Sequence, residues 1–161
     1  MVENPYGRDL GGREPLTSLA DSAEQIRSLV AGFDAAAWSR SYAEGKWTAA
    51  QIAQHLAHCE LFLGTRVRLA LTVPNYVVQP FEQDDVMRVE AAANGPLAFA
   101  SYYAQRQMNL PFFRSLTDAQ LDRPAHHPER GAISVRWIIE MFAGHDWHHI
   151  PQLRRIAGAA S

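Results

Sequence analysis

The sequence predicts an all-α protein that folds as an antiparallel four-helix bundle. Three observations favour this class: apolar residues recur at three- and four-residue steps, capping motifs precede the longest of these stretches, and no stretch alternates as a β-strand does. The length of 161 residues suits one domain. We therefore expect an irregular N-terminal arm over residues 1–14, rich in glycine, proline and charge, and a single four-helix-bundle domain over residues 15–161.

The composition excludes several classes of protein. The formal net charge is −2, so no basic surplus indicates nucleic-acid binding. No apolar run is long enough to span a membrane, and the N-terminus lacks the apolar run of a signal peptide. Cys59 is the only cysteine, which rules out an intramolecular disulfide and fits a reducing compartment. The expected location is the cytoplasm.

The first two long helices have recognisable starts. From Leu16 onward, apolar positions repeat with helical spacing and predict a helix that ends near residues 32–34. Thr48, with Gln51 three residues later, forms a capping-box pattern. The second helix is therefore expected to begin there and to run to about Leu71, before a loop that contains two prolines.

The second half of the chain predicts two more long helices. The third helical stretch covers about residues 84–116 and is interrupted at residues 94–96, where Asn-Gly-Pro suits a new helix start. A Thr-x-x-Gln pattern predicts one short turn over residues 117–121. Residues 126–132 are expected to form a loop, and the last helix, with a serine cap, to cover residues 134–157.

Helical phase separates the histidines of the second and last helices into inward and outward groups. Positions four apart lie within about 40° of each other on a helix, so His145 and His149 share the apolar stripe of the last helix. His55 lies within the apolar stripe of the second helix, whereas His58 and His148 fall on more polar faces. Three imidazoles from two helices are therefore predicted to face the bundle interior.

Three inward histidines indicate a metal site. An unsatisfied buried polar group costs about 1–3 kcal/mol, and a shared metal ion removes that cost for all three imidazoles. Two ligands four residues apart converge on one ion, and a third reaches it across the core. The competing interpretation is that each is an ordinary core histidine with a protein partner, since a lone His-x-x-x-His pattern is a weak signal. The third histidine, on a second helix, favours the metal.

Four motifs carry a resemblance to a known family. They are WTAAQIAQHLAHCE (47–60), RQMNLPFFRSL (106–116), HPERG (127–131) and GHDWHHIPQL (144–153). In the order and separation of these motifs, the chain resembles the DinB/YfiT-like superfamily of helical metalloproteins from about Leu16 onward.

The resemblance implies a fold and a ligand set. It implies a four-helix bundle, often a homodimer, that holds a divalent metal ion through three histidines. Those ligands correspond to His55, His145 and His149, the same three that helical phase selects. Pro151 departs from the pattern, because a proline removes a backbone donor and clashes one turn back, and it predicts a bend just past His149.

Three protein ligands would leave a position open to water or to a small-molecule substrate, as in catalytic sites. Imidazole ligands suit zinc, nickel, iron or copper, and the ligand types do not choose among these ions. The divalent metal ion that we expect as the cofactor is zinc or nickel. A hydrolase would benefit from a general base, but Asp146, Glu60 and Glu140 are predicted to point to other faces. A thiol needs less help, because coordination itself lowers its pKa. Since the family includes transferases that use a low-molecular-weight thiol, we rank metal-dependent thiol transfer above metal-dependent hydrolysis.

Two further functions stay open. One is a non-catalytic metal-binding or stress-response protein, whose ion would stabilise the bundle and whose site would be closed by a fourth ligand such as Cys59 or His148. The other is a metal-free bundle that acts through its dimer face.

Other polar residues have a functional and a structural interpretation. Gln152 lies on the ligand side and could hydrogen-bond a histidine, or cap an edge of the core. Cys59, one turn from His55, could approach the metal, although a lone helical cysteine is more often a packing residue. Arg66 and Arg106 could hold a substrate carboxylate, but long arginines usually lie on the surface. Solvent exposure is the default expectation for His126 and His127 in their loop, and a position near the cleft mouth is the alternative for His127.

Overall fold

Four long helices make up most of the structure, a computed structural model that describes residues 2–90 and 92–158. The elements in chain order are α1 (Gly7–Leu10), α2 (Pro15–Val30), α3 (Ala35–Ser39), α4 (Ala49–Thr72), α5 (Gln83–Val89), α6 (Gly95–Arg114), α7 (Asp118–Leu121), β1 (Pro124–His127), β2 (Gly131–Ser134) and α8 (Val135–Ala157). The predicted four-helix bundle is confirmed, and one two-stranded sheet lies beside it.

The long helices α2, α4, α6 and α8 enclose a shared apolar core. α2 and α4 each pack against both α6 and α8, which places α2 and α4 at opposite corners of the bundle. Each helix contributes fully buried side chains, for example Leu19, Leu63, Phe113 and Ile138. Within the described residues, none of the helices combines the length and the apolar character that crossing a membrane requires.

Side-chain caps fix the starts of the helices. At α4 the predicted capping box is present: the Gln51 N–H donates to Thr48 Oγ1 (3.2 Å) and the Thr48 N–H donates to Gln51 Oε1 (2.9 Å). The Glu14 carboxylate caps α2 by accepting from the N–H groups of Leu16 and Thr17. Capping satisfies backbone donors that have no partner within the helix, so these side chains decide where each helix begins.

The expectation of a loop over residues 126–132, with no strand in the chain, was wrong. β1 and β2 form an antiparallel hairpin in which His126 pairs with Ala132 and His127 with Gly131. His126 also donates its N–H to the Tyr76 carbonyl (2.9 Å), which ties the hairpin to the segment after α4. Strands of four residues are too short to show an alternating pattern, and here they are held by backbone pairing.

The N-terminal arm, predicted to be irregular, contains the short helix α1 and packs against α8. Gly144 of α8 allows this approach, because a Cβ at that position would collide with the backbone carbonyl of Tyr6. The Trp137 indole donates to the carbonyl of Val2 (3.1 Å). The arm therefore covers one end of the groove between α4 and α8.

Candidate metal centre

The three inward histidines lie together between α4 and α8. His55 comes from the second turn of α4, and His145 and His149 occupy successive turns of α8. All three are buried, at 2%, 5% and 5% exposure, whereas His148 is exposed between them. The helical-phase argument thus identified which side chains point inward.

The imidazoles meet through their Nε2 atoms. His145 Nε2 lies 3.0 Å from His55 Nε2 and 3.1 Å from His149 Nε2. A single proton on His145 Nε2 has to be shared between two acceptors, whereas a cation accepts lone pairs from all three nitrogens. The other nitrogen of His145, Nδ1, is buried and has no hydrogen-bond partner among the described residues. Among the described residues, His145 therefore has polar partners only at Nε2, the atom at which the three rings meet.

Gln152 sets the tautomer of one ring. Its Oε1 lies 2.9 Å from His149 Nδ1, so Nδ1 donates to the amide oxygen and the lone pair of the neutral ring is on Nε2. Metal-binding histidines are commonly oriented by such a hydrogen bond on the far nitrogen. The arrangement presents His149 to the cluster in a form that can bind a cation.

Burial keeps the three imidazoles neutral. Loss of hydration lowers the pKa of His55 to about 3 and, with neighbouring histidines adding to the effect, lowers that of His145 well below its usual value. Burial also lowers the pKa of His149 to about 4, although the Gln152 hydrogen bond opposes the shift. Neutral imidazole is the form that binds metals, so this donor set fits a divalent ion at neutral pH.

Cys59 lies next to the same cluster, one helical turn after His55. Its Sγ is 3.5 Å from His55 Nε2, and the candidate ligand atoms of His55, Cys59 and His145 lie within 4.8 Å of one another. Burial raises the pKa of the Cys59 thiol, which keeps it protonated unless a cation is present. The position allows both interpretations of Cys59, as a packing residue and as a fourth ligand.

Arg106 does not lie in the cleft beside the histidines. It is 1% exposed, and its guanidinium donates to the carboxylates of Glu60 (2.7 Å) and Asp146 (2.9 Å). Tyr102 also donates to Asp146 (2.9 Å), and Asn109 donates to Glu60 (3.0 Å). This buried polar network joins α4, α6 and α8 behind the histidines.

Sequence reasoning missed this network. It placed Asp146 and Glu60 on faces away from the ligands, which is where they lie, but those faces are buried against α6. The sequence feature that could have indicated this network is a pair of polar residues at three-residue spacing on α6, Arg106 and Asn109. In the described part of the chain, no carboxylate forms a hydrogen bond or an ion pair with His55, His145 or His149.

A cleft of about 270 Å³ leads from the surface to His55, Cys59 and His145. Its floor holds the two imidazoles and the thiol, and its walls come from the N-terminal arm, α4, α8, the hairpin, and the first turn of α5 with the segment before it. The other lining residues are Pro5, Tyr6, Arg66, Pro80, Phe81, Glu82, Gln83, Asp84, His127, Glu129, Arg130, Met141 and Phe142. The Tyr6 ring meets His145 edge-on, with centroids 5.0 Å apart.

Solvent exposure, the default expectation for the two histidines, holds for His126 but not for His127, which lies at the cleft as the alternative for it predicted. His127 is 8% exposed and forms part of the cleft wall, because the hairpin turns alternate side chains to opposite faces. Trp47 lies over the other side of the cluster with its ring centroid 4.9 Å from that of His55.

Comparison with known sequences agrees with this architecture. The sequence profile described as the DinB superfamily matches residues 18–153. A protein of Oceanobacillus iheyensis named "putative metal-dependent hydrolase" is 25% identical over 142 residues, which cover 87% of this chain and 82% of that protein.

Two solved structures share the fold. YfiT from Bacillus subtilis, described as "a probable metal-dependent hydrolase with an unusual four-helix bundle topology", matches with a TM-score of 0.79 and 22% identity over 91% of this chain and 87% of that one. The mycothiol-dependent maleylpyruvate isomerase matches with a TM-score of 0.71 and 16% identity, over 86% of this chain and 59% of that one. At these identities, the likeness is one of fold.

Proposed function

Because the chain belongs to the DinB superfamily, we propose that it is a metalloenzyme that uses His55, His145 and His149 to hold one divalent ion, zinc or nickel. We further propose that it transfers a low-molecular-weight thiol to a small-molecule acceptor. The observation that carries the proposal is the convergence of three buried, neutral imidazoles on one point, where two of them, His55 and His145, line an open cleft.

The chemistry of the donor set supports a catalytic site. When bound, a divalent ion lowers the pKa of a coordinated thiol or water. The three imidazoles are neutral, so they would not cancel the positive charge through which the ion lowers that pKa. Gln152 orients one of the imidazoles. The cleft admits a substrate from the side of His55 and His145.

The buried carboxylates favour a thiol over water as the nucleophile. Asp146 and Glu60 both accept hydrogen bonds from Arg106, so neither is free to act as a general base at the cluster. A thiol loses its proton more readily than water does and needs no positioned base once its pKa is lowered. The solved mycothiol-dependent isomerase shares this fold and uses a thiol, as its description says.

Hydrolysis is the second candidate. Relatives of this chain are named as metal-dependent hydrolases, and exposed carboxylates of Glu82, Asp84 and Glu129 lie along the cleft. In that case one of these acids, reached by a movement of the cleft wall, would serve as the base. Binding of Cys59 as a fourth ligand would instead favour a non-catalytic, structural metal site.

A paired assay separates the two reactions. The zinc- or nickel-loaded protein is given 1-chloro-2,4-dinitrobenzene with cysteine or glutathione, and in parallel p-nitrophenyl acetate without a thiol. In the first reaction sulfur bonds to the ring carbon, chloride leaves with its electron pair, and the thiol proton passes to solvent. We expect metal-dependent arylation of the thiol, lost in His149→Ala and retained in His148→Ala. Metal-dependent ester hydrolysis without thiol transfer would favour the hydrolase.

A further inference from the structure

Arg66 is a buried cation without an acidic partner. It is 7% exposed, and its one hydrogen bond is from Nη2 to the carbonyl of Gln79 (2.8 Å). Within residues 2–90 and 92–158, no carboxylate forms a salt bridge with it. Arg106, which is also buried, differs from Arg66 in having two carboxylate partners. A buried charge that is left unpaired is costly, so the position of Arg66 calls for an anion from outside the chain.

Three aromatic rings surround the guanidinium of Arg66 and favour the binding of an anion to it. Its guanidinium lies 5.8, 5.5 and 6.0 Å from the ring centroids of Phe62, Phe81 and Phe142. These rings remove water from the charge, and the resulting loss of hydration lowers the pKa of Arg66. The ring faces stabilise the cation in part, but they do not form the two parallel hydrogen bonds that a carboxylate offers.

Arg66 lines the same cleft as the metal centre. It follows Cys59 by seven residues on α4, which is two turns on the same face and a rise of roughly 10 Å. A ligand that reaches the histidines at the floor of the cleft would therefore have its other end near Arg66. The distance suits a molecule with its reactive group and its charged group separated by several bonds.

His127 adds a second donor to this part of the cleft. Its Nδ1 accepts a hydrogen bond from the Glu129 N–H (3.3 Å), so the proton of the neutral ring is on Nε2. Desolvation lowers the pKa of His127 and favours this neutral form. His127 thus presents an N–H donor on a wall of the cleft that Arg66 also lines.

Acidic residues at the mouth restrict the kind of anion. Glu82, Asp84 and Glu129 line the cleft but are exposed, and none of them pairs with Arg66. The exposed Arg130 also lines the cleft, but these four side chains together still carry a net negative charge, which opposes a dianion such as a phosphate more than it opposes a monoanion. One guanidinium and one imidazole donor also suit the two oxygens of a single carboxylate.

From these observations we infer that Arg66 and His127 form a carboxylate-binding subsite, which holds the carboxylate of a small substrate with its reactive end toward His55 and His145. The inference rests on the proposed function only in assigning the carboxylate to a substrate. The binding of a carboxylate in the cleft is independent of the metal and can be tested without it.

The test is a titration of the chelator-treated, metal-free protein, followed by NMR. Benzoate is the probe, because the aromatic lining suits its ring, and benzamide is its neutral counterpart of the same shape. Removing metal first prevents the carboxylate from binding to the ion instead. We expect benzoate to bind at least about tenfold more tightly than benzamide, which is the effect of one charge-assisted hydrogen-bonded pair. Equal affinity for the two probes in the wild type would overturn the subsite.

Matched variants assign the effect to Arg66. In Arg66→Gln the preference for benzoate should disappear, and in Arg66→Lys it should be reduced. Arg68→Gln removes the same charge two residues away, where the side chain donates to Asn109 outside the cleft, and should leave the preference unchanged. A preference that survives in Arg66→Gln would contradict the assignment, and tighter binding of phenyl phosphate than of benzoate would contradict the choice of a carboxylate. A metal-free wild type that prefers benzoate supports the subsite even if metal binding by the histidines fails.

Discussion

Protonation links the histidine cluster to stability. Unfolded histidines titrate near pH 6.5, whereas in the fold the pKa is about 3 for His55 and about 4 for His149. Between these values and pH 6.5 the unfolded chain binds protons that the folded chain excludes. The contribution of these neutral histidines to the free energy of unfolding is therefore fully present above about pH 6.5. It is lost as the pH falls toward the folded-state pKa values.

Acid should destabilise the metal-free protein in a defined range. Each cluster histidine decreases the free energy of unfolding by up to about 1.4 kcal/mol per pH unit below pH 6.5. Urea unfolding between pH 7.5 and pH 5 measures this slope, in a range above that in which most carboxylates titrate. His149→Leu should show a shallower slope. A wild-type stability that does not change between pH 7 and pH 5 would contradict neutral burial of the cluster.

Gln152 should affect metal binding through the tautomer of His149. Gln152→Ala removes the acceptor on Nδ1 and is expected to weaken metal affinity by about tenfold, as other losses of such partners do. Gln152→Glu keeps an acceptor and should retain affinity. Competition with a chromogenic zinc chelator measures both variants. Unchanged affinity in Gln152→Ala would mean that the hydrogen bond to His149 is incidental to the site.

At the scale of elements, the sequence was informative where the structure depends on local patterns. Helical phase and the Thr48 capping box identified α4 and its inward histidine, because both depend on residues within a few positions of each other. The β-hairpin and α1 were not predicted, since α1 and each strand have only four residues. Part of what holds them is also distant in sequence, namely α8 for α1 and Tyr76 for the hairpin. The candidate ligands were predictable for the same reason as the helices, whereas Arg66 and His127 line one cleft only because of the tertiary fold.

Gly144 is the point at which the N-terminal arm meets α8. Gly144→Ala should lower the melting temperature, although alanine favours a helix by about 1 kcal/mol, because the added methyl group collides with the Tyr6 backbone. Overpacking of this kind costs about 1–3 kcal/mol. Gly32→Ala is the control, since nothing lies within 4 Å of a Cβ there. A higher melting temperature for Gly144→Ala would show that the arm does not pack closely on α8.

At the scale of the whole molecule, the buried network around Arg106 connects the helices behind the site. Glu60 on α4, Arg106 on α6 and Asp146 on α8 form one hydrogen-bonded group, and Ser22 of α2 donates to Asp146 (2.7 Å). All four long helices therefore contribute to it. This group was not predictable from the sequence, because the identity of each partner depends on how the helices pack.

Removing the arginine should destabilise the whole bundle. Arg106→Met leaves two buried carboxylates without their cation, and breaking a buried pair in this way costs about 3–5 kcal/mol. Arg114→Met, on an exposed position of the same helix, is the control. Denaturant unfolding at pH 7.5 measures both variants. A loss below about 1 kcal/mol in Arg106→Met would mean that water or a rearrangement satisfies the carboxylates.

The central claim, that three histidines hold one metal ion, is tested most directly by the metal content of untagged protein. Inductively coupled plasma mass spectrometry should give close to one zinc or nickel ion per chain for the wild type and for His148→Ala, whose histidine is exposed beside the cluster. In His149→Ala the metal should be lost. Wild-type protein that stays free of metal after incubation with zinc and with nickel, or a His149→Ala variant that retains a full equivalent, would contradict the claim.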